Sequence, residues 1–192
     1  MSAPPPASAT SRREAILDAA LELFRQRGFH SVGIDEIGTA AGISGPGVYR
    51  HFASKGALLV ALFDSITERM LISAEEIQKT DSDPVEMLDR LVTSHVVTAV
   101  EERALLAVWL QDWRSLPHSD QHRIRRRQME YVSIWMATLS RLRPELGPGE
   151  AETVVHAALG AVNSIAFHDA GLPSGALASL LSDAARSILQ PN

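Results

Sequence analysis

The chain is 192 residues long, 45% apolar and only 5% aromatic, with no cysteine and a formal net charge of −5. This composition provides a core of aliphatic helix packing and excludes a disulfide scaffold or thiol chemistry, as expected of a protein of the reducing cytoplasm. The acidic balance excludes a generic polyanion binder, no apolar run approaches the ~20 residues that span a bilayer, and the opening MSAPPPASATSRRE lacks the apolar stretch of a signal peptide.

Residues 1–10, rich in Pro and Ala, read as a disordered lead-in. Beyond them helical periodicity dominates and no stretch alternates convincingly at period two, so the fold class is all-α. A first helix is expected over 11–27. Ser11 with Glu14 three residues on is a capping-box pattern, Ile16, Ala19, Ala20, Leu23 and Phe24 share one face, and Gly28 ends the helix. A second covers 34–40 with Ile34, Ile37 and Ala41 turned inward, and Gly42 permits the left-handed backbone of a sharp turn. Ser44 caps a third helix running to about His51, and Ser54 caps a fourth running to about Gln78. In KTDSDP, Asp83 as cap and Pro84 in the first turn start a fifth helix that reaches about Val100. The sixth is expected over 102–115, stopping before Pro117, and the seventh over 119–142. RPELGPG breaks the chain, the eighth helix spans 150–170, residues 171–175 turn, and the ninth ends near Gln190.

The segment IDEIGTAAGISGPGVYRHFASK, residues 34–55, is the most informative part of the chain. Two short helices joined at Gly42 form a unit that sets its second helix in the major groove of DNA. That second helix, SGPGVYRH, is a poor helix former, since an interior Gly costs ~1 kcal/mol relative to Ala. Pro46 is tolerated because it lies in the first turn. Small residues flanking a proline let the backbone approach a base edge or phosphate, and the free N–H groups at the helix start suit an anion. Tyr49, His51 and Lys55 offer a hydroxyl, a ring N–H and a point charge to phosphates at the groove edge, while Val48 and Phe52 face inward. Up to Lys55, six cations (Arg12, Arg13, Arg25, Arg27, Arg50, Lys55) oppose five acids (Glu14, Asp18, Glu22, Asp35, Glu36), so a mildly basic head joins an acidic body.

Gly28-Phe29, Ala41-Gly42-Ile43-Ser44, Val48-Tyr49, His51-Phe52, Ser54-Lys55 and Leu58 fall at the spacing of an N-terminal signature, and through them the chain resembles the TetR family of bacterial repressors. The resemblance implies a nine-helix fold, with a three-helix helix-turn-helix DNA-binding domain at 11–55 and a helical effector-binding and dimerisation domain at 56–192. It implies base or backbone contacts for Ser44, Gly45, Pro46 and Gly47, phosphate contacts for Tyr49, His51 and Lys55, and a base or phosphate contact for Arg50. The chain departs from the pattern at four glycines. Gly33 stands where the family usually has a capping Ser or Thr. Gly38 replaces a usual Ala, which loosens the second helix or draws it closer to the third. Gly45 and Gly47 leave few side chains to read bases.

The sixth helix, ALLAVWLQDWRSLP, is apolar almost all round and is expected to be buried. Trp109, Asp112 and Trp113 share one of its faces, and Tyr131 and Trp135 lie four apart on the seventh helix. An apolar cavity with a few polar groups is the usual form of a small-molecule site. These five residues, with Met87, Leu91 and His95 from the fifth helix and Asn163, Phe167 and His168 from the eighth, are its candidate lining; an ordinary aromatic core is the alternative. Asp112, a carboxylate between two tryptophans, needs a partner, whether Arg114, Arg90 or a ligand.

The resemblance places the effector pocket inside helices four to eight and a homodimer interface on helices eight and nine. Candidate interface residues are His156, Leu159, Gly160, Leu177, Leu181, Ala184 and Ile188, with Leu180 in the same stripe. The alternative is a ninth helix that only caps its own core. Arg123-Ile124-Arg125-Arg126-Arg127 reads as a solvated face pairing with nearby acids rather than a second nucleic-acid patch. His118, Asp120 and His122 have a spacing that can hold a metal but arises readily by chance, so no metal and no cofactor is expected.

The whole reads as a ligand-responsive transcriptional regulator, foremost a repressor. A dimer would set its two third helices in successive major grooves of a palindromic double-stranded operator. A hydrophobic effector, of fatty-acid or acyl-CoA type by analogy with similar members, would favour a state in which the fourth helix has shifted. Control of drug efflux or of another catabolic gene through a different ligand is the alternative. An enzyme built on His95, Asp112 and His168 would lack a nucleophile elbow, a phosphate loop and a paired metal motif. An architectural DNA-binding protein would not need so large a body.

Overall fold

The computed structural model describes residues 9–80, 83–167 and 171–190, with side chains from residue 12 onward. The described residues form nine α-helices and no strand: α1 (Ala9–Arg27), α2 (Ile34–Ala40), α3 (Gly45–Val48), α4 (Lys55–Lys79), α5 (Pro84–Glu101), α6 (Arg103–Asp112), α7 (His118–Leu142), α8 (Pro148–Asn163) and α9 (Ser174–Leu189). Single 3-10 turns follow α1, α6 and α8 at Phe29–Ser31, Trp113–Ser115 and Ser164–Ala166.

Local chemistry explains most of the boundaries. Ser44 Oγ accepts from Gly47 N–H at 3.3 Å, Ser54 Oγ from Ala57 N–H at 3.1 Å and Asp83 Oδ1 from Val85 N–H at 3.5 Å, each covering a donor that the helix start leaves free. Gly28 stops α1 at φ 76°, ψ 153°, a conformation essentially restricted to glycine, and Gly42 turns the chain at φ 69°. At α2 no side-chain cap replaces the missing Ser or Thr. Instead Glu36 reaches back to accept from Gly33 N–H at 2.7 Å.

Four expectations change. The helix α1 starts at Ala9, two residues before Ser11, so residues 9 and 10 are not part of the lead-in; residues 1–8 lie outside the described set. Regular helix in α3 ends at Val48, and residues to His51 continue as tight turns through Arg50 N–H to Gly47 O at 3.3 Å and His51 N–H to Val48 O at 2.9 Å. The helix α8 ends at Asn163 rather than near 170, and His168 lies outside the described residues. Helix α6 is not buried all round, since Leu110 and Gln111 face outward.

Two cores result. The first joins Ile16, Ala20, Phe24, Phe29, Ile37, Val48, Phe52, Leu58, Leu59 and Phe63 to Leu105, Val108, Leu116 and Ile124. The second packs Met87, Leu91, Val96, Trp135, Leu139, Val155 and Leu189 between α5, α7, α8 and α9. Met70 packs against both, so α4 runs from one core into the other.

Candidate DNA-binding head and effector cavity

Helices α2 and α3 cross as closely as backbone allows. A Cβ on Gly38 would stand 3.0 Å from Gly45 N and from Ser44 C, so its glycine draws α2 onto α3 rather than loosening α2. A Cβ on Gly45 would overlap the Asp35 carboxylate, so this glycine serves helix packing within the head. Gly47 has only ordinary contacts around it, from 3.4 Å to Ser44 Oγ outward. The outer surface of the turn presents Ser44, Pro46, Tyr49 (56% exposed) and Arg50, with His51 half-buried beside them, while Val48 and Phe52 lock it from below.

Lys55, expected on a phosphate, is placed differently. Its ammonium donates to Phe29 O and Val32 O, both at 2.8 Å, and lies 4.4 Å from the centre of the Phe29 ring. Two of its three donors thus tie the start of α4 to the turn after α1. Arg27 is likewise held by Glu36 at 2.7 Å, and that bond, followed by the one from Gly33 N–H, keeps the Glu36 carboxyl below the usual carboxylate range. Arg25 is paired with Glu22. Among the described residues of the head, Arg50 has no ion-pair partner, and Arg13 lies over the Phe52 ring at 4.7 Å.

The head is fastened to the body at the end of α6. Asp112, 6% exposed, accepts from the backbone N–H of Phe29 at 3.1 Å through Oδ2. That amide is its partner among the described residues, and neither Arg114 nor Arg90 pairs with it there. Ser115 Oγ lies 2.9 Å from His30 Nε2 on the same turn. Trp109 and Trp113 are 5.0 Å apart between ring centres and stack against Phe63 of α4. A cleft of about 620 Å³ opens between the start of α4 and α7, lined by Arg13, His51, Ser54, Asp64, Glu68 and Asp120 among others. Across it Arg123 forks onto Asp64 and Asp120, and Arg127 lies 3.8 Å from Glu68. Arg123 and Arg127 of the arginine run therefore pair with acids of α4, and Asp120 is committed to Arg123.

A cavity of about 540 Å³ lies among α4, α5, α6, α7 and α8. Its inner wall is Ile66, Leu106, Val132 and Leu159 with the polar Thr67, His95 and Tyr131; its outer part is Leu110, Met129, Arg125, Gln128, His156 and Gly160. Of the expected lining, His95, Trp109, Tyr131 and Asn163 border it. Met87, Leu91 and Trp135 sit behind it in the second core, Asp112 and Trp113 belong to the junction, and Phe167 is 73% exposed on the outside. Arg125, Gln128, Met129 and Val132 were missed, although i, i+3, i+4, i+7 spacing puts them on one face of α7.

His95 anchors the polar part. Its Nε2 is 3.1 Å from Asn163 Oδ1 and its Nδ1 is 3.0 Å from the Tyr131 hydroxyl. An amide oxygen only accepts, so Nε2 carries the proton and Tyr131 donates to Nδ1. Burial lowers the His95 pKa to about 4 despite the Asn163 bond, and burial pushes the Tyr131 phenol well above its ordinary value. The Trp135 indole N–H lies near the Tyr131 hydroxyl without a well-formed hydrogen bond. His95 and Asp112 point into different environments, so no acid–base pair is assembled from them.

On α8 and α9 the outward positions include His156, Ala157, Gly160, Leu180 (58% exposed) and Ala184, with the polar Glu152, Thr153, Ser179, Asp183 and Ser187 also exposed. Leu159 and Leu181 turn into their own core, contrary to their expected place in the interface, because they lie on the opposite faces of their helices; Leu177 and Ile188 are half-buried.

Residues 16–62 match the family described as bacterial regulatory proteins, tetR family, and residues 81–184, more than half of the chain, match the tetracyclin repressor-like C-terminal domain. The chain belongs to the TetR family. The transcriptional activator FasR of Mycolicibacterium smegmatis is 38% identical over 72 residues, 38% of this chain and 33% of FasR. The transcriptional repressor KstR2 of Rhodococcus jostii is 27% identical over 141 residues, 71% of this chain and 69% of KstR2. The chain spans only 33% of FasR and 50% of the regulator Rv1255c of Mycobacterium tuberculosis, which it also matches.

Two solved structures share the TetR fold. A regulator from Bordetella parapertussis superposes with a TM-score of 0.84 at 19% identity, covering 96% of each chain. AibR in complex with isovaleryl coenzyme A and operator DNA superposes with a TM-score of 0.76 at 21% identity, covering 89% of this chain and 96% of AibR. In this TetR-family chain the N-terminal match ends at residue 62, one turn of α4 before Ile66 enters the cavity wall. No helix among the described residues is long and apolar enough to cross a membrane.

Proposed function

We propose that this TetR-family chain is a cytoplasmic, homodimeric repressor that leaves a palindromic operator when an anionic amphiphile, of fatty-acid or acyl-CoA type, enters the body. The observation that carries this reading is the cavity of about 540 Å³, within the range of small-molecule sites, with an apolar inner wall and Arg125 at its outer part. Arg123 and Arg127 are engaged with carboxylates, whereas no ion pair occupies Arg125 among the described residues. An acyl chain fits the enclosed part, and a charged head group would stay beside Arg125. AibR, crystallised with an acyl coenzyme A and operator DNA, supports the ligand class by fold analogy.

The head would enter the major groove through the Ser44–Arg50 surface, with Tyr49, His51 and Arg50 toward the backbone and Gly47 permitting close approach. With so few side chains on α3, specificity would lean on DNA shape as well as on direct contacts. Two copies would meet through the outward residues of α8 and α9, whose Ala157, Gly160 and Ala184 allow close helix approach and whose Leu180 supplies apolar area. KstR2 supports a repressor and FasR, by its name an activator, the opposite sign.

Capture of genomic fragments by the purified protein, followed by addition of C12 to C18 fatty acids and their coenzyme A thioesters, tests the reading. Enrichment of one palindromic site and its release by at least one of these ligands is the expected result. No enriched palindrome would overturn the regulator reading, and transcription in vitro from the enriched promoter fixes the sign.

A further inference from the structure

Asn163 ends α8 on the wall of the cavity. Its Oδ1 is committed to His95 Nε2 at 3.1 Å, and His95 is fixed in turn by the Tyr131 hydroxyl at 3.0 Å. The amide is therefore held by one buried side chain, His95, whose own ring is fixed by Tyr131. Its Nδ2, carrying two N–H donors, makes no hydrogen bond among the described residues, on a side chain that lines the cavity.

The cavity wall that Asn163 shares with His95 and Tyr131 also includes the apolar Leu106, Leu159 and Val132. Water can satisfy the donors in the empty cavity, but an all-methylene chain would displace that water and leave them bare, which is costly. Tyr131 lies six residues beyond Arg125 on α7, about 9 Å along the helix axis. The polar cluster is thus well separated from the cation at the outer part, with Gln128 and Met129 on the same helix between them.

We propose that the effector carries a carbonyl or hydroxyl oxygen in the middle of its apolar body, besides its anionic end, and that Asn163 Nδ2 donates to that oxygen. The inference rests on this cavity being the effector site. It makes the ligand an oxygenated amphiphile, such as an oxo or hydroxy acid, rather than a plain saturated acid. His95 and Tyr131 act as positioning residues for the amide.

Calorimetric titration of the full chain with octadecanoic acid, its 7-, 10- and 12-hydroxy and 10-oxo derivatives, and the methyl ester of the tightest one tests this directly. At least one oxygenated acid should bind about tenfold more tightly than octadecanoic acid, the scale expected when a buried donor gains its partner. The methyl ester should bind more weakly than its acid. In Asn163→Leu, with an unchanged circular dichroism spectrum, octadecanoic acid should bind more tightly than to the unaltered chain, since no amide donor is left bare, and the preference for the oxygenated acids should vanish. Equal affinity of all the acids for the unaltered chain would overturn the inference and leave the cavity as an effector site. A preference that survives Asn163→Leu would remove the role of Asn163. Failure of every acid to bind would overturn the effector reading itself.

Discussion

His95 is neutral in the folded chain because burial lowers its pKa to about 4 from an ordinary 6.5. A base whose folded pKa is depressed favours unfolding as protons bind, so its contribution is intact above pH 6.5 and is lost as the pH falls toward 4. The slope is about 1.4 kcal/mol per unit, roughly 3 kcal/mol across that window. Urea unfolding between pH 7 and 4 should show this decline, and His95→Phe should flatten it. Tyr49 and Arg50 define the second prediction at this scale. Tyr49→Phe and Arg50→Ala should weaken operator and non-specific DNA alike, and Arg50→Ala should reduce the salt slope of binding by about one phosphate's worth, read from titrations at several salt concentrations. Lys55 belongs to a different class, since its ammonium is bound to the Phe29 and Val32 carbonyls. Its sequence context, at the groove edge of a recognition unit, could not reveal that two backbone oxygens lie within reach. Gly38 and Gly45 tell the same story: their scarcity of side chain was legible, and its cause, the α2–α3 contact, was not.

Helix α6 is the element on which head and cavity meet. It gives Leu106, Trp109 and Leu110 to the cavity and Asp112 to the Phe29 amide. Asp112→Ala should strand that amide, lowering stability by roughly 1–3 kcal/mol and raising hydrogen exchange at Phe29 well above that of neighbouring amides. Unaltered protection there would show that the bond does not hold the turn. The need of Asp112 for a partner was legible from its place between two tryptophans. The partner was not, because it is a backbone donor 83 residues away and sequence advertises only side chains. Helix starts at Ser44, Ser54 and Asp83 were readable because each cap is local. The end of α8 at Asn163 was not, since no Gly or Pro marks it and apolar spacing runs on past it.

At the scale of the molecule, two cores share one long helix, and the outer faces of α8 and α9 expose Leu180 together with Ala157, Gly160 and Ala184. Leu180→Asp would place a charge on that face without touching either core. If the dimer forms there, sedimentation should show a monomer and operator affinity should fall at least tenfold, while thermal unfolding of the monomer stays cooperative. A dimer that persists would move the interface elsewhere. The periodic stripe on α9 was plain in the sequence, but its division into Leu181, facing in, and Leu180, facing out, depends on how the helix is rolled against α5 and α8.

The three tryptophans of the chain give the protein its own optical readout. Trp109 borders the cavity and stacks on Trp113, which in turn rests on Phe63 of the head core, whereas Trp135 lies sealed beside His95. Emission from the first pair should respond to ligand entry and to any parting of head from body, while the third tryptophan, packed on His95 and Tyr131, should respond to the cavity alone. Ligand entry and head movement thus become separable in time by stopped-flow fluorescence, with no label attached.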